Sequence, residues 1–155
     1  MSETNSLVLD TLQSVEEIKA LKHKYFRALD RELFEEVGSC FVSDCLIDYG
    51  AAGVYEGVEG FVAMISDYAK TNTARGVHQG YNPEIAVDGD SATGIWLCTY
   101  ISVDTEKGVS YKQTGYYEDE YIRENGEWKI KVTKNTPQFS ETAMVENDNI
   151  SLTLG

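Results

Sequence analysis

The chain has 155 residues, 42% of them hydrophobic and 25% charged, the composition of one soluble globular domain large enough to enclose a core. Its 26 acidic residues outnumber 13 Lys and Arg and leave a net charge of −13, which argues against nucleic acid or a membrane surface as partner. No apolar run approaches the length of a membrane span, and the opening residues lack the basic stretch of a signal peptide, so a cytoplasmic location is expected.

Residues 1–13 read as a flexible polar lead. Ser14 followed by Glu17 reads as a capping box, and Val15, Ile18, Leu21, Tyr25 and Leu29 form the apolar stripe of an amphipathic helix over Ser14–Leu29. Tyr25 therefore faces inward with a hydroxyl that needs a partner. Asp30 lies about 140° further round, so the chain must turn there if the two groups are to meet. A second helical run, Arg31–Val37, makes Asp30 either its N-cap, a site residue, or both. A short strand over Cys45–Tyr49 and a third helix carrying Val58, Phe61, Val62, Ile65 and Tyr68 follow.

From Arg75 the period changes to that of strands: Val77–Val87, Ser91–Val103, Val109–Arg123 and Trp128–Thr133, with Asp88-Gly89 and Asn125-Gly126 as hairpin signals. Three helices ahead of an antiparallel meander predict an α+β fold, with the helices on one face of a curved sheet. Ile95–Ile101 does not alternate, as a strand buried on both faces would read, and this predicts a homo-oligomer. The domain is expected over residues 14–138, with 139–155 a tail that either lies at a subunit interface or is disordered. Cys40, Cys45 and Cys98, an odd number, are expected to be free thiols in a reducing compartment. Ten tyrosines suit strands and a cavity wall that is apolar yet donates hydrogen bonds.

Phosphate-binding Gly loops, a Gly-x-Ser-x-Gly elbow and zinc-type Cys or His spacing are all missing from the sequence. Of two histidines, His23 sits between Lys22 and Lys24 and reads as solvated surface. His78 lies in Gly76-Val77-His78-Gln79-Gly80-Tyr81, at the start of the first long strand. An Asp30 carboxylate bonded to one of its ring nitrogens would make the other a general base.

The helix end Tyr25-Phe26-Arg27-Ala28-Leu29-Asp30, the strand Asp48-Tyr49-Gly50, His78 with Asn82 and Glu84, the turn Val87-Asp88-Gly89-Asp90 and the closing Gly126-Glu127-Trp128-Lys129-Ile130 together resemble the SnoaL-like branch of the nuclear-transport-factor-2-like superfamily. The resemblance covers about Val15–Val132. It implies a cone-shaped α+β barrel of three N-terminal helices on a strongly curved, mostly antiparallel sheet around an apolar pocket. Within the superfamily the chain looks most like bile acid 7α-dehydratase, scytalone dehydratase and lindane dehydrochlorinase. That likeness implies a cofactor-independent lyase or isomerase with His78, Asp30 and Tyr25 catalytic, and Tyr49, Tyr81, Trp96 and Tyr100 around a small apolar substrate, steroid-like, polyketide-like or smaller. A homodimer or homotrimer is implied as well. The chain departs from relatives where a last-strand arginine is replaced by Lys131–Asn135, and near Tyr100, where a functional aspartate of the bile acid enzyme has no counterpart. The alternative of another class is a non-catalytic binding domain or an accessory subunit of the same fold. Contact between Asp30 and His78 in a cavity wall would favour the enzyme.

Overall fold

The computed structural model describes residues 3–146 and 149–154. Helix α1 (Glu3–Asp30) is its spine: 28 residues, rich in Leu, Lys, Glu and Ala and free of Gly and Pro, so nothing in it interrupts the helix. It begins upstream of the predicted start because residues 3–13 hold no breaker, polar though they are. Ser14 is consequently no cap. Its hydroxyl donates to the Asp10 carbonyl at 2.7 Å and accepts from Arg123 Nη2 at 2.6 Å.

The end of α1 is closed by its backbone. Leu33 N–H bonds the Ala28 carbonyl and Glu32 N–H that of Leu29, with Glu32 at φ 56°, the paired bonds of a Schellman closure on a non-glycine residue. Helix α2 (Phe34–Ser39), strand β1 (Phe41–Asp48), the short β2 (Val54–Glu56) and helix α3 (Val58–Ala69) follow.

The rest is sheet: β3 (Arg75–Asp88), β4 (Ser91–Asp104), β5 (Val109–Glu124), β6 (Glu127–Glu146) and β7 (Asn149–Leu154). The order is β2-β1-β6-β5-β4-β3, with β7 paired to the far stretch of β6. All neighbours run antiparallel except β1 and β6. The three helices thus pack on a mixed sheet that stays open, with β2 and β3 as its edges. Asn125-Gly126, at φ 52° and 83°, makes the tight turn its residues predict. Strand β6 runs on to Glu146 and pairs there with the first half of β5, Val109 opposite Met144.

The core lies where α1 and α3 meet the inner face, around Ile18, Val37, Ile47, Phe61 and Ile130. All three cysteines are buried and free. Strand β4 is covered on both faces only near Cys98 and Thr99; Ile95 and Val103 are exposed, because no helix among the described residues packs on the outer face of the sheet. Among the described residues no helix is long and apolar enough to cross a membrane.

Candidate active site

Asp30 occupies the last turn of α1, where a carboxylate meets the negative end of the helix dipole. Its placement is offset by β3. The His78 backbone N–H is shared between Oδ1 at 3.1 Å and Oδ2 at 3.0 Å, and His78 Nδ1 lies 2.7 Å from Oδ1. A carboxylate only accepts, so Nδ1 is the donor in this contact, and in a neutral imidazole the acceptor is then the other ring nitrogen. The N-cap role falls away, because the residue preceding α2 is Leu33.

Tyr25 and Asp30 diverge, since the helix runs unbent through both. The Tyr25 hydroxyl instead hydrogen-bonds the Tyr49 hydroxyl, just past β1. Phe26 connects the two halves of the site: it packs beside Tyr25 and stacks on His78 with ring centroids 5.4 Å apart and planes 3° from parallel. Tyr100 covers His78 at 4.5 Å. Phe26 lies directly over Gly80, where a Cβ would collide with its ring. Gly80→Ala is therefore expected to cost about 1–3 kcal/mol in urea unfolding, with Phe26→Leu in the same chain recovering part of the loss.

Between α3 and the inner face of the sheet lies a cavity of about 730 Å³. His78, Tyr100 and Gln113 form one row across β3, β4 and β5; Tyr117 and Asn135 form another across β5 and β6. Cys98, Gly115 and Pro137 form the row between them and also line the space. Tyr49, Phe61 and Tyr68 close the helix side. Among the described lining residues none is Asp, Glu, Lys or Arg, so the wall suits an uncharged guest. Asp30 and His78 also border two smaller spaces, one beside Tyr68 and Tyr100 and one beside Phe26 and Gly80.

The model of the SnoaL-like domain matches residues 10–134, most of the chain. The chain belongs to this family. Uncharacterized proteins of Mycobacterium tuberculosis and Mycobacterium bovis are 28% identical over 118 residues, covering 74% of this chain and 78% of theirs. A scytalone dehydratase-like protein of Novosphingobium aromaticivorans superposes with a TM-score of 0.77 at 22% identity, covering 83% of this chain and 87% of that one. A hexachlorocyclohexane dehydrochlorinase of Novosphingobium barchaimii does so with a TM-score of 0.74 at 20% identity, covering 92% and 91%. At such identities the structural likeness speaks for the fold.

In this SnoaL-like chain His78, Tyr49 and Tyr100 reach the cavity, and Asp30 and Tyr25 stand behind its wall. Two of the expected substrate contacts, Tyr81 and Trp96, lie away from this cavity. Tyr81 is one residue out of the inward parity set by His78 and Gly80, so it faces outward and bonds Thr99. Trp96 points inward but beyond the cavity; it is buried, with its indole N–H donating to the Tyr121 hydroxyl at 2.9 Å. From β6 Asn135, not a cation, lines the space, and Lys131 and Lys134 are exposed.

Burial pushes Tyr25, Tyr49 and Tyr117 well above the ordinary tyrosine range, so all three stay protonated donors. Burial likewise pushes the Cys98 thiol up to about 11, which leaves it a wall residue rather than a nucleophile.

Sequence reading missed Phe26, Tyr117 and Lys22. Tyr117 had a signal: Gly115, Tyr117, Asp119 and Tyr121 alternate with exposed Tyr116, Glu118 and Glu120. Lys22 had one too, at the i+4 position from Ile18 and three before Tyr25, squarely on the buried stripe.

Proposed function

We propose that this protein is a cofactor-independent lyase or isomerase that removes a carbon-bound proton beside a carbonyl group in a small apolar molecule. The observation that carries this reading is the Asp30–His78 contact, 2.7 Å long, with the imidazole in the wall of an uncharged cavity. His78 takes the C–H proton on its free nitrogen, and Asp30 holds the ring and stabilises the imidazolium. General-base catalysis is worth about 10²–10⁴-fold, so the enolate oxygen needs donors as well. Tyr49 and Tyr117 are in the wall to serve it, with Tyr25 acting through its hydrogen bond to Tyr49. In an elimination the C–O bond then breaks, and the proton on His78 leaves with hydroxide as water. In an isomerisation the same proton returns to another carbon. The steroid-like to smaller range of guests fits the cavity volume. The exposed Val77, Ile95, Val103 and Tyr116 on the outer sheet face suit a second or third copy of the chain.

Incubation in D2O with cyclic ketones and enones tests the reading. Deuterium uptake next to the carbonyl that depends on His78 supports it; no uptake from any such compound overturns it.

A further inference from the structure

Lys22 has no part in the chemistry above, yet it is one of the most completely buried side chains in the protein. Its Nζ lies 2.7 Å from Asp119 Oδ2, an ion pair by distance that is off the line of a hydrogen bond. The rest of its surroundings are aromatic. The ammonium sits 4.0 Å from the Tyr117 ring centroid, 5.0 Å from Phe26 and 5.3 Å from Tyr25. Cys40 and Cys98 are the other titratable groups near enough to influence it.

The Asp119 side chain accepts from two further donors: the Tyr121 hydroxyl on Oδ2 and the Thr133 hydroxyl on Oδ1, both at 2.6 Å. Trp96 in turn donates to Tyr121. None of these partners lines the cavity, whereas Tyr117 does. The pair is thus oriented. Its negative end is spread over donors in the core, and its positive end presses on the face of a tyrosine that borders the cavity. Tyr117 also meets Tyr49 edge-on at 6.1 Å, and Tyr49 is bonded to Tyr25, so three phenols converge in front of one ammonium.

We propose that Lys22 is a positioning residue whose ammonium, acting through Tyr117 and Tyr25, makes the tyrosine end of the cavity select an anionic oxygen over a neutral one. A cation behind a phenol ring draws electron density from it and strengthens the hydroxyl as a donor toward negative charge. The proposal rests on the enolate reading above and gives it a direction: the oxygen of the substrate lies at the Tyr49–Tyr117 end, and the acidic C–H at the His78 end.

The test uses 4-nitrophenol, whose bound phenolate is read by its visible absorbance, with nitrobenzene as the neutral control of similar shape. The intact protein is expected to bind the phenolate in preference to nitrobenzene. Lys22→Met should weaken phenolate binding about tenfold, the scale of removing one charge a ring's width away, and change nitrobenzene binding less than about twofold. Lys22→Arg should keep the preference. Lys22→Met with Asp119→Leu removes both charges together, should behave like Lys22→Met, and guards against a single variant that does not fold. An unchanged phenolate preference in the Met variants, or equal losses for both ligands, overturns the role of Lys22. No preference in the unaltered protein overturns the enolate reading of the tyrosines as well.

Discussion

His78→Ala is expected to slow proton removal by about 10²–10⁴-fold, with the fold intact, because it deletes the base and nothing nearby replaces it. His78 is 19% exposed and its ring is held by Phe26, Tyr100 and Asp30, so the loss to packing is small beside the loss of chemistry. Asp30→Asn should cost nearly as much for a different reason. An amide can offer its NH2 to Nδ1, which moves the imidazole proton to the other nitrogen and removes the acceptor from the cavity side. The two substitutions act on one unit, so the double variant should be little slower than either single one. The measurement is the rate of deuterium exchange or of product formation for each variant. Retained turnover in His78→Ala would remove this residue from the mechanism.

The largest effect on stability is expected at Asp119. Asp119→Ala leaves the Lys22 ammonium without a counter-charge and strands the Tyr121 and Thr133 hydroxyls, all in the core. Breaking one side of a buried ion pair costs about 3–5 kcal/mol, a large share of the roughly 5–15 kcal/mol that holds a domain together. Replacing both partners with Met at 22 and Leu at 119 should return the protein to within about 2 kcal/mol of the original, since neither charge then has to be desolvated. Urea unfolding of the single and double variants measures both figures. A midpoint for Asp119→Ala indistinguishable from that of the unaltered protein would contradict the buried pair.

Much of this was legible in the sequence for a physical reason. The long strands and their Gly-containing turns follow from local pattern, and the Asn125-Gly126 turn obeys its own backbone preferences. The Asp30–His78 pair was reachable because the chain has only two histidines, one of them between lysines, and because the family resemblance sets an aspartate at the end of the first helix against a histidine on the first long strand. What escaped depended on which element covers which. A long side chain on the apolar stripe reads as snorkelling surface until the tyrosines of another strand enclose it, as happens to Lys22. Tyr81 and Tyr100 look alike in sequence, and only strand parity sends one outward and the other into the cavity. The same limit applies to Ser14, where helix formers upstream of a capping signature carried the helix past it. Tyr25 was expected to meet Asp30 at a bend; the straight helix gave each its own partner instead.

The account turns on the imidazole of His78 presenting an unprotonated nitrogen to the cavity while Asp30 holds the other. Nitrogen-15 NMR of the histidine side chains at neutral pH observes this directly. One histidine, absent from the spectrum of His78→Ala, should show a protonated Nδ1 with a slowly exchanging proton and a bare Nε2. A proton on Nε2, or a His78 ring that averages freely between tautomers as a solvated side chain does, would contradict it.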